Sequence, residues 1–321
     1  MDLFTHILFP YTIAFGLFGQ SATNYIAAAA LGGGLPDADI LLYPLTKIFP
    51  RFKHHGITHS IIGVTVFSLI MAFLAVCISV GDYFLFFVAF EIGGLTHLAL
   101  DGFTNFSIPP FSPLSERQLH ADADVAVNLV VTAGSISAFF ILLFEKGSVP
   151  MAVWTYTVWT IFAAYICYFS VRGIMRLRVN IRVKTLHANG VIPTINPLIW
   201  LIVKEIRAGK SYTIKYWKYH VGHKLSGKTS MLHVNPNRIT GPVKTTQEAI
   251  NRSYDTAVKH MPFMRDAYKF AQATLEGKEY RVYWFSPEFI VGERTFGVTV
   301  HVNRNNGALR LKRSFEKVHF L

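Results

Sequence analysis

Cysteine is nearly absent: Cys77 and Cys167 are the only two in 321 residues, and each sits inside an apolar run. Two isolated thiols exclude a disulfide framework and a thiolate metal site. Both read as small buried hydrophobes. Basic charge is scarce at first, with five Lys/Arg against ten Asp/Glu in residues 1–171, a net of −5. Residues 172–321 reverse this, with 26 against nine and a net of +17. The start, Met1-Asp2-Leu3, has neither the basic region nor the small-residue cleavage site of a signal peptide. Gly32-Gly33-Gly34 is followed by no Gly-Lys-Ser/Thr, which excludes a phosphate loop. No internal repeat or low-complexity tract is present.

What the chain does have is apolar length. Six apolar segments run over 5–19, 23–35, 60–80, 83–100, 125–144 and 150–171. The last four approach or exceed the roughly 20 residues that carry a helix across a bilayer. The first two are short and rich in Gly and Ala, which suits tilted spans or a buried helical hairpin. The expectation is an α-helical integral membrane domain of about six helices over 1–171, then a cytosolic basic α+β domain over 172–321. Arg172, Arg176, Arg178, Arg182 and Lys184 follow the sixth segment directly, and such charge stays cytoplasmic. Counting back, both termini are cytoplasmic, in a multi-pass protein of the inner membrane.

In the second part, 197–206, 212–221, 280–285 and 295–302 read as strands by alternation and β-branched or aromatic content. Segments 245–259 and 264–275 read as amphipathic helices. Asn305-Asn306-Gly307 supplies a tight hairpin turn.

That topology brings the ionisable residues of the first part to one level. His6 opens the first segment, Asp37 and Asp39 follow the second, and His54 and His59 lead into the third. His97 and Asp101 end the fourth, on one helical face at i, i+4 spacing. Imidazole with carboxylate is the ligand chemistry of Zn²⁺ and similar ions. Seven candidates exceed the needs of one tetrahedral ion, so two or more divalent ions are expected, Zn first and Mn or Mg as alternatives. A multi-metal site activates water and neutralises a phosphoryl group in flight. Taken singly, Asp37 and Asp39 read better as turn residues, and His6 alone could be an interfacial core histidine. Asp39, Asp101 and His55 are the candidates for proton transfer or direct catalysis. Lys53, Arg117 and His120 are candidates for holding substrate, although the first two also serve as positive-inside anchors. Glu91 and Thr58 are candidate supporting residues, Thr58 also reading as a helix cap. Asp124 reads most simply as an N-cap.

The motifs Thr5-His6, Leu35-Pro36-Asp37-Ala38-Asp39, His54-His55-Gly56-Ile57-Thr58-His59-Ser60, His97-Leu98-Ala99-Leu100-Asp101 and Pro110-Phe111-Ser112 resemble those of the YdjM-like family of membrane-bound metal-dependent hydrolases. The resemblance covers residues 1 to about 130, and 193–203 also resembles a segment that some bacterial members carry. It implies that His6, Asp37, Asp39, His54, His59, His97 and Asp101 are metal ligands. It also implies a distant similarity to zinc-dependent phospholipase C and the S1/P1 nucleases. His55 stands where the family usually has Arg, and the fourth motif differs by Ala99.

The expected activity is therefore hydrolysis of a phosphoester in a lipid or lipid-linked substrate at the cytoplasmic face. The lipid bilayer is the expected partner, with the anionic inner leaflet drawn to the basic domain. A nuclease-like phosphodiesterase using that domain for nucleic acid is the first alternative. A non-catalytic metal-binding membrane protein is the second.

Overall fold

The computed structural model describes residues 1–39, 56–105, 107–125, 127–208, 211–223, 229–235, 241–260, 269–291 and 294–317. The expected site residues Lys53, His54 and His55 lie outside them. The chain divides into two compact units, Met1–Ile174 and Met175–Leu321.

The first unit is helical: α1 (Leu3–Phe18), α2 (Thr23–Gly34), α3 (Ile61–Ile78), α4 (Tyr83–Phe103), α5 (Leu129–Glu145) and the start of α6 (Met151–Thr185). Each helix start that can be read has a local cause. Asp2, Ser60, Asp82 and Asn128 cap α1, α3, α4 and α5 by accepting from backbone N–H groups of the first turn, which satisfies donors the helix itself cannot. The cap of α5 is thus Asn128, not Asp124, and α5 starts four residues later than the apolar run.

Among the described residues, α3, α4 and α6 are long and apolar enough to cross a membrane; α1 and α5 are apolar but shorter. Much of their apolar surface faces outward: Phe73, Ile78, Phe84, Phe144 and Trp159 are all more than half exposed. An apolar exterior of this extent suits lipid rather than water. Cys77 and Cys167 also lie on it, exposed. Their expected burial was wrong because, in a bilayer, apolar character does not imply the core.

Helix α6 continues through the arginines that were expected to end it. Its 35 residues make about 52 Å of helix, well beyond the ~30 Å hydrocarbon layer. Two anchors hold the extension. Arg172 is fully buried, pairing with Asp124 at 2.9 Å and donating from Nε to the Ala123 carbonyl. Further on, within the second unit, Val179 packs with Trp200, Ile202 and Tyr219.

That unit holds two four-stranded antiparallel meanders. One is β1 (Gly190–Pro193), β2 (Ile199–Ala208), β3 (Ser211–His220) and β4 (Thr229–Val234). The other is β5 (Phe270–Glu276), β6 (Glu279–Val291), β7 (Arg294–Asn303) and β8 (Leu309–Lys317). Helix α7 (Thr246–Lys259) starts at a Thr245/Glu248 capping box. It packs Ala249, Ile250 and Ala257 into the shared core of both sheets, and Ser253 accepts from the Trp284 indole. The helix expected over 264–275 is absent where it is described: Phe270–Glu276 is a strand, with Ala271 opposite Trp284 and Ala273 opposite Val282. Ladder pairing overrides the helical pattern there.

Backbone proximity sets the arrangement of α1, α2 and α4. A Cβ on Gly33 would lie 2.0 Å from the His6 carbonyl, and one on Gly93 would lie 2.1 Å from the Ala29 carbonyl. One on Gly32 would lie 2.4 Å from the Phe90 carbonyl. Pro10 has no N–H for the His6 carbonyl one turn back, and Gly33 sits against that oxygen. Such small-residue contacts bring membrane helices close. Gly93→Ala should therefore force α2 and α4 apart, at a cost of about 1–3 kcal/mol or more. Gly134→Ala on α5, where nothing among the described residues lies within 4 Å, should be neutral or slightly stabilising. Thermal unfolding of the two variants in detergent distinguishes these outcomes.

Candidate metal centre

The site forms where α1, α4, the turn after α2 and the short 3-10 turn Ile57–His59 converge. His97 comes from α4 and is fully buried. Its Nδ1 lies 2.7 Å from the Gly33 carbonyl. A carbonyl only accepts, so Nδ1 carries the proton and Nε2 presents a lone pair. His59, also fully buried, is held the same way. Its Nδ1 is 3.4 Å from Asp39 Oδ2, which also accepts from the Thr58 hydroxyl at 2.9 Å. Its Nε2 then faces that of His97 at 3.3 Å.

Two lone pairs at that distance repel unless a cation or proton lies between them. Asp37 Oδ1 completes one side, 3.5 Å from His59 Nε2 and 3.7 Å from His97 Nε2. Asp101 Oδ2 completes the other, at 3.8 and 3.4 Å from the same atoms. A tetrahedral ion with bonds near 2.0–2.1 Å holds its donors about 3.3–3.4 Å apart. Five of the six separations among these four donors are 3.3 to 3.8 Å, close to that spacing, and His59, His97 and Asp101 form a group with metal-ligand spacing. The residues fit a divalent cation, with His59, His97, Asp37 and Asp101 to hold it.

His6 extends the cluster. Its ring stacks on that of His97 at 3.7 Å, and its Nε2 is 3.1 Å from the second oxygen of Asp101. Among the described residues its Nδ1 is buried without a hydrogen-bond partner, an unusual state for a native polar atom. His6, Asp37 and His97 also form a group of their own with metal-ligand spacing, beside that of His59, His97 and Asp101. Asp101 turns one oxygen to His6 and the other to His59 and His97. A cation already stands at this end: the Met1 ammonium is 2.8 Å from His6 Nε2 and pairs with Asp101 Oδ1.

The structure thus brings together six of the seven expected ligands, His6, Asp37, Asp39, His59, His97 and Asp101, with Thr58 beside them, and the six are not equivalent; His54 lies outside the described residues. Asp39 and Thr58 address His59 Nδ1 from behind, the position of a carboxylate that orients a metal-bound imidazole. The remaining candidates stand elsewhere. Glu91 accepts from Thr65 of α3. His120 is 3.4 Å from Ser107 and 3.9 Å from Asp122, and Arg117 is exposed on the same loop. Asp124 is bound by Arg172, Tyr168 and Asn128 and serves to fasten the loop after α4 to α6. Sequence reasoning missed the Gly33 carbonyl, which fixes the His97 tautomer. It also missed Asp2, whose Oδ2 accepts from Thr132 of α5 at 2.6 Å. The triple glycine was the available signal for the first.

A helical membrane protein with a buried His/Asp cluster of metal-ligand geometry is the class these features define. The chain belongs to the YdjM inner membrane protein family, whose model matches residues 1–179. No curated protein and no solved structure matches it.

Charge at the mouth of the cluster is strongly perturbed in the metal-free state. Burial opposes the imidazolium of His59, but hydrogen bonds to Asp37 and Asp39 outweigh it and raise the group to about 9. Burial likewise opposes the Asp37 carboxylate, yet the His59 hydrogen bond and the charges of His97 and His6 lower it to about 2. His59 therefore contributes stability that is full below its ordinary value near 6.5 and is lost as pH rises through about 9. Asp37 contributes stability that is lost as pH falls from 3.8 through about 2. Metal must displace the His59 proton. Zinc titrations at pH 7.5 in buffers of different ionisation enthalpy should show about one proton released from this group, and none above pH 10.

Asp39→Asn should keep the metal stoichiometry and weaken affinity by about 10–100-fold. His97→Ala should abolish binding at the four-donor cage. Equilibrium titration with a competing chelator reads both.

Proposed function

We propose that this chain is a membrane-bound, metal-dependent hydrolase that cleaves a phosphoester in a lipid or lipid-linked substrate at the cytoplasmic face. The observation that carries this reading is the cluster of two overlapping groups with metal-ligand spacing, His6, Asp37 and His97 beside His59, His97 and Asp101. Two imidazoles with two carboxylates favour Zn²⁺ over Mg²⁺ or Mn²⁺. When bound, divalent cations supply Lewis-acid activation of water and neutralisation of phosphoryl charge.

The protein groups divide the remaining work. Asp39 and the Gly33 carbonyl hold His59 and His97 in one tautomer each. Asp101 is 2 % exposed and its two oxygens are committed to His6 on one side and to His59 and His97 on the other. Asp37, with 22 % of its side chain exposed, is the carboxylate of the cluster that solvent reaches. We assign it, in place of Asp39 or Asp101, the acceptance of a proton from the attacking water. A substrate in the leaflet reaches this group without leaving the membrane surface.

The orientation follows from charge. Arg176, Arg178, Arg182 and Lys184 on the extension of α6 favour a cytoplasmic second unit. Six crossings then place both termini and the cluster on that side. Helix α2 has 12 residues, about 18 Å. The α1–α2 hairpin returns His6 and Asp37 to one level whether or not it reaches the far surface. The net +17 of residues 172–321 supports attraction to the anionic inner leaflet. Against nucleic acid, Arg281 is paired with Glu276 and Glu316, and Arg310 and His301 with Glu279.

Purified protein should carry stoichiometric zinc or a related metal, reduced in His59→Ala and Asp101→Ala. It should hydrolyse at least one member of a panel of lipidic and soluble phosphoesters, and Asp37→Asn should lower turnover more than metal content. Wild-type protein without metal would end the proposal.

A further inference from the structure

The loop joining α4 to α5 is not slack chain. Ile108 and Leu119 exchange backbone hydrogen bonds at 3.1 and 2.8 Å, and the turn between them is closed by Ser112 N–H to Pro109 O and Leu114 N–H to Phe111 O. Its base is tied to the end of α4 by Ala121 N–H to Gly102 O and Ala123 N–H to Phe103 O. Ile108 is buried with Val64 of α3 and Leu98 of α4, and Ser112 is 2 % exposed.

Against that rigid frame, Phe111 is 49 % and Leu114 84 % exposed. Unpaired apolar side chains held outward by an ordered turn imply something apolar in front of them. Their neighbour identifies it. Ile61 N–H, at the first residue of α3, donates to Pro110 O, so the turn abuts the head of α3. Ile61 and Ile62 there are themselves exposed. They begin the lipid-facing surface of the most apolar of the candidate spans. Through the buried Pro110, the turn thus sets Phe111 and Leu114 beside the apolar surface of the membrane helix. Arg117 and His120 follow on the exposed strand of the loop, where polar groups meet headgroups and water.

We propose that the 109–115 turn inserts into the leaflet as an interfacial anchor, with Phe111 and Leu114 at the level of the upper acyl chains. It enters beside the mouth of the His/Asp cluster, because His59 and Ser60 directly precede the α3 residue it contacts. As an anchor it is independent of catalysis. As the place where a lipid substrate would leave the bilayer for Asp37, it rests on the hydrolase reading.

The test is depth. In a Cys77→Ser/Cys167→Ser background, Phe111→Cys, Leu114→Cys and Glu116→Cys are labelled with a small environment-sensitive fluorophore. The protein is reconstituted, without added metal, into phosphatidylethanolamine/phosphatidylglycerol vesicles with or without brominated acyl chains. Labels at 111 and 114 should be quenched several-fold more by brominated lipid than the label at 116, and several-fold less by aqueous iodide. Equal iodide quenching at all three sites would overturn the proposal. So would protection of 111 and 114 from both quenchers, which would mean that protein covers the turn. Unfolding temperatures matching the unlabelled parent show that each variant is folded. Because neither quencher reports on metal or turnover, failure of the hydrolase reading leaves this result standing.

Discussion

Close contact between the backbones of α1, α2 and α4 is the constraint on which the polar centre depends. Inside a bilayer there is no hydrophobic force to press one apolar helix on another, so packing and hydrogen bonding must do it. Glycines at 32, 33 and 93 remove the side chains that would hold the helices apart. Gly33 acts twice: its bare Cα admits the His6 carbonyl, and its own carbonyl receives the His97 ring proton. The same contact that packs the bundle therefore aims a ligand. A side chain there would disturb position and tautomer together.

The cluster itself is costly in isolation. Asp37, Asp39 and Asp101 are gathered with three imidazoles in a largely buried space, and buried carboxylates demand compensating positive charge. Around His59 that charge is favoured by hydrogen bonds to Asp37 and Asp39, which raise its pKa to about 9.

Most of the helical order was legible because apolar length and caps are local signals. The helix starts at Leu3, Ile61, Tyr83 and Met151 fall within two residues of the apolar runs. The end of α6 was not legible: arginine is a good helix former, and burial of Arg172 against Asp124 is a tertiary event. The strand at Phe270–Glu276 was misread for a similar reason, since its partner β6 decides it. His6, Asp37, His59, His97 and Asp101 could be named from motif and topology because each ends or precedes an apolar segment. The division between residues that face the cage and residues that stand behind it, such as Asp39, depends on which ring nitrogen points where. No spacing along the chain encodes that.

Arg172 and Asp124 illustrate how such hidden pairings bear on descent. Losing either partner alone strands a buried charge, whereas replacing both with well-fitting apolar groups is close to neutral. Drift at these two positions is therefore expected to be concerted. Relatives that have dispensed with the arginine should have given up the aspartate in the same lineage, leaving a paired footprint 48 positions apart that marks where the loop is stitched to the last helix.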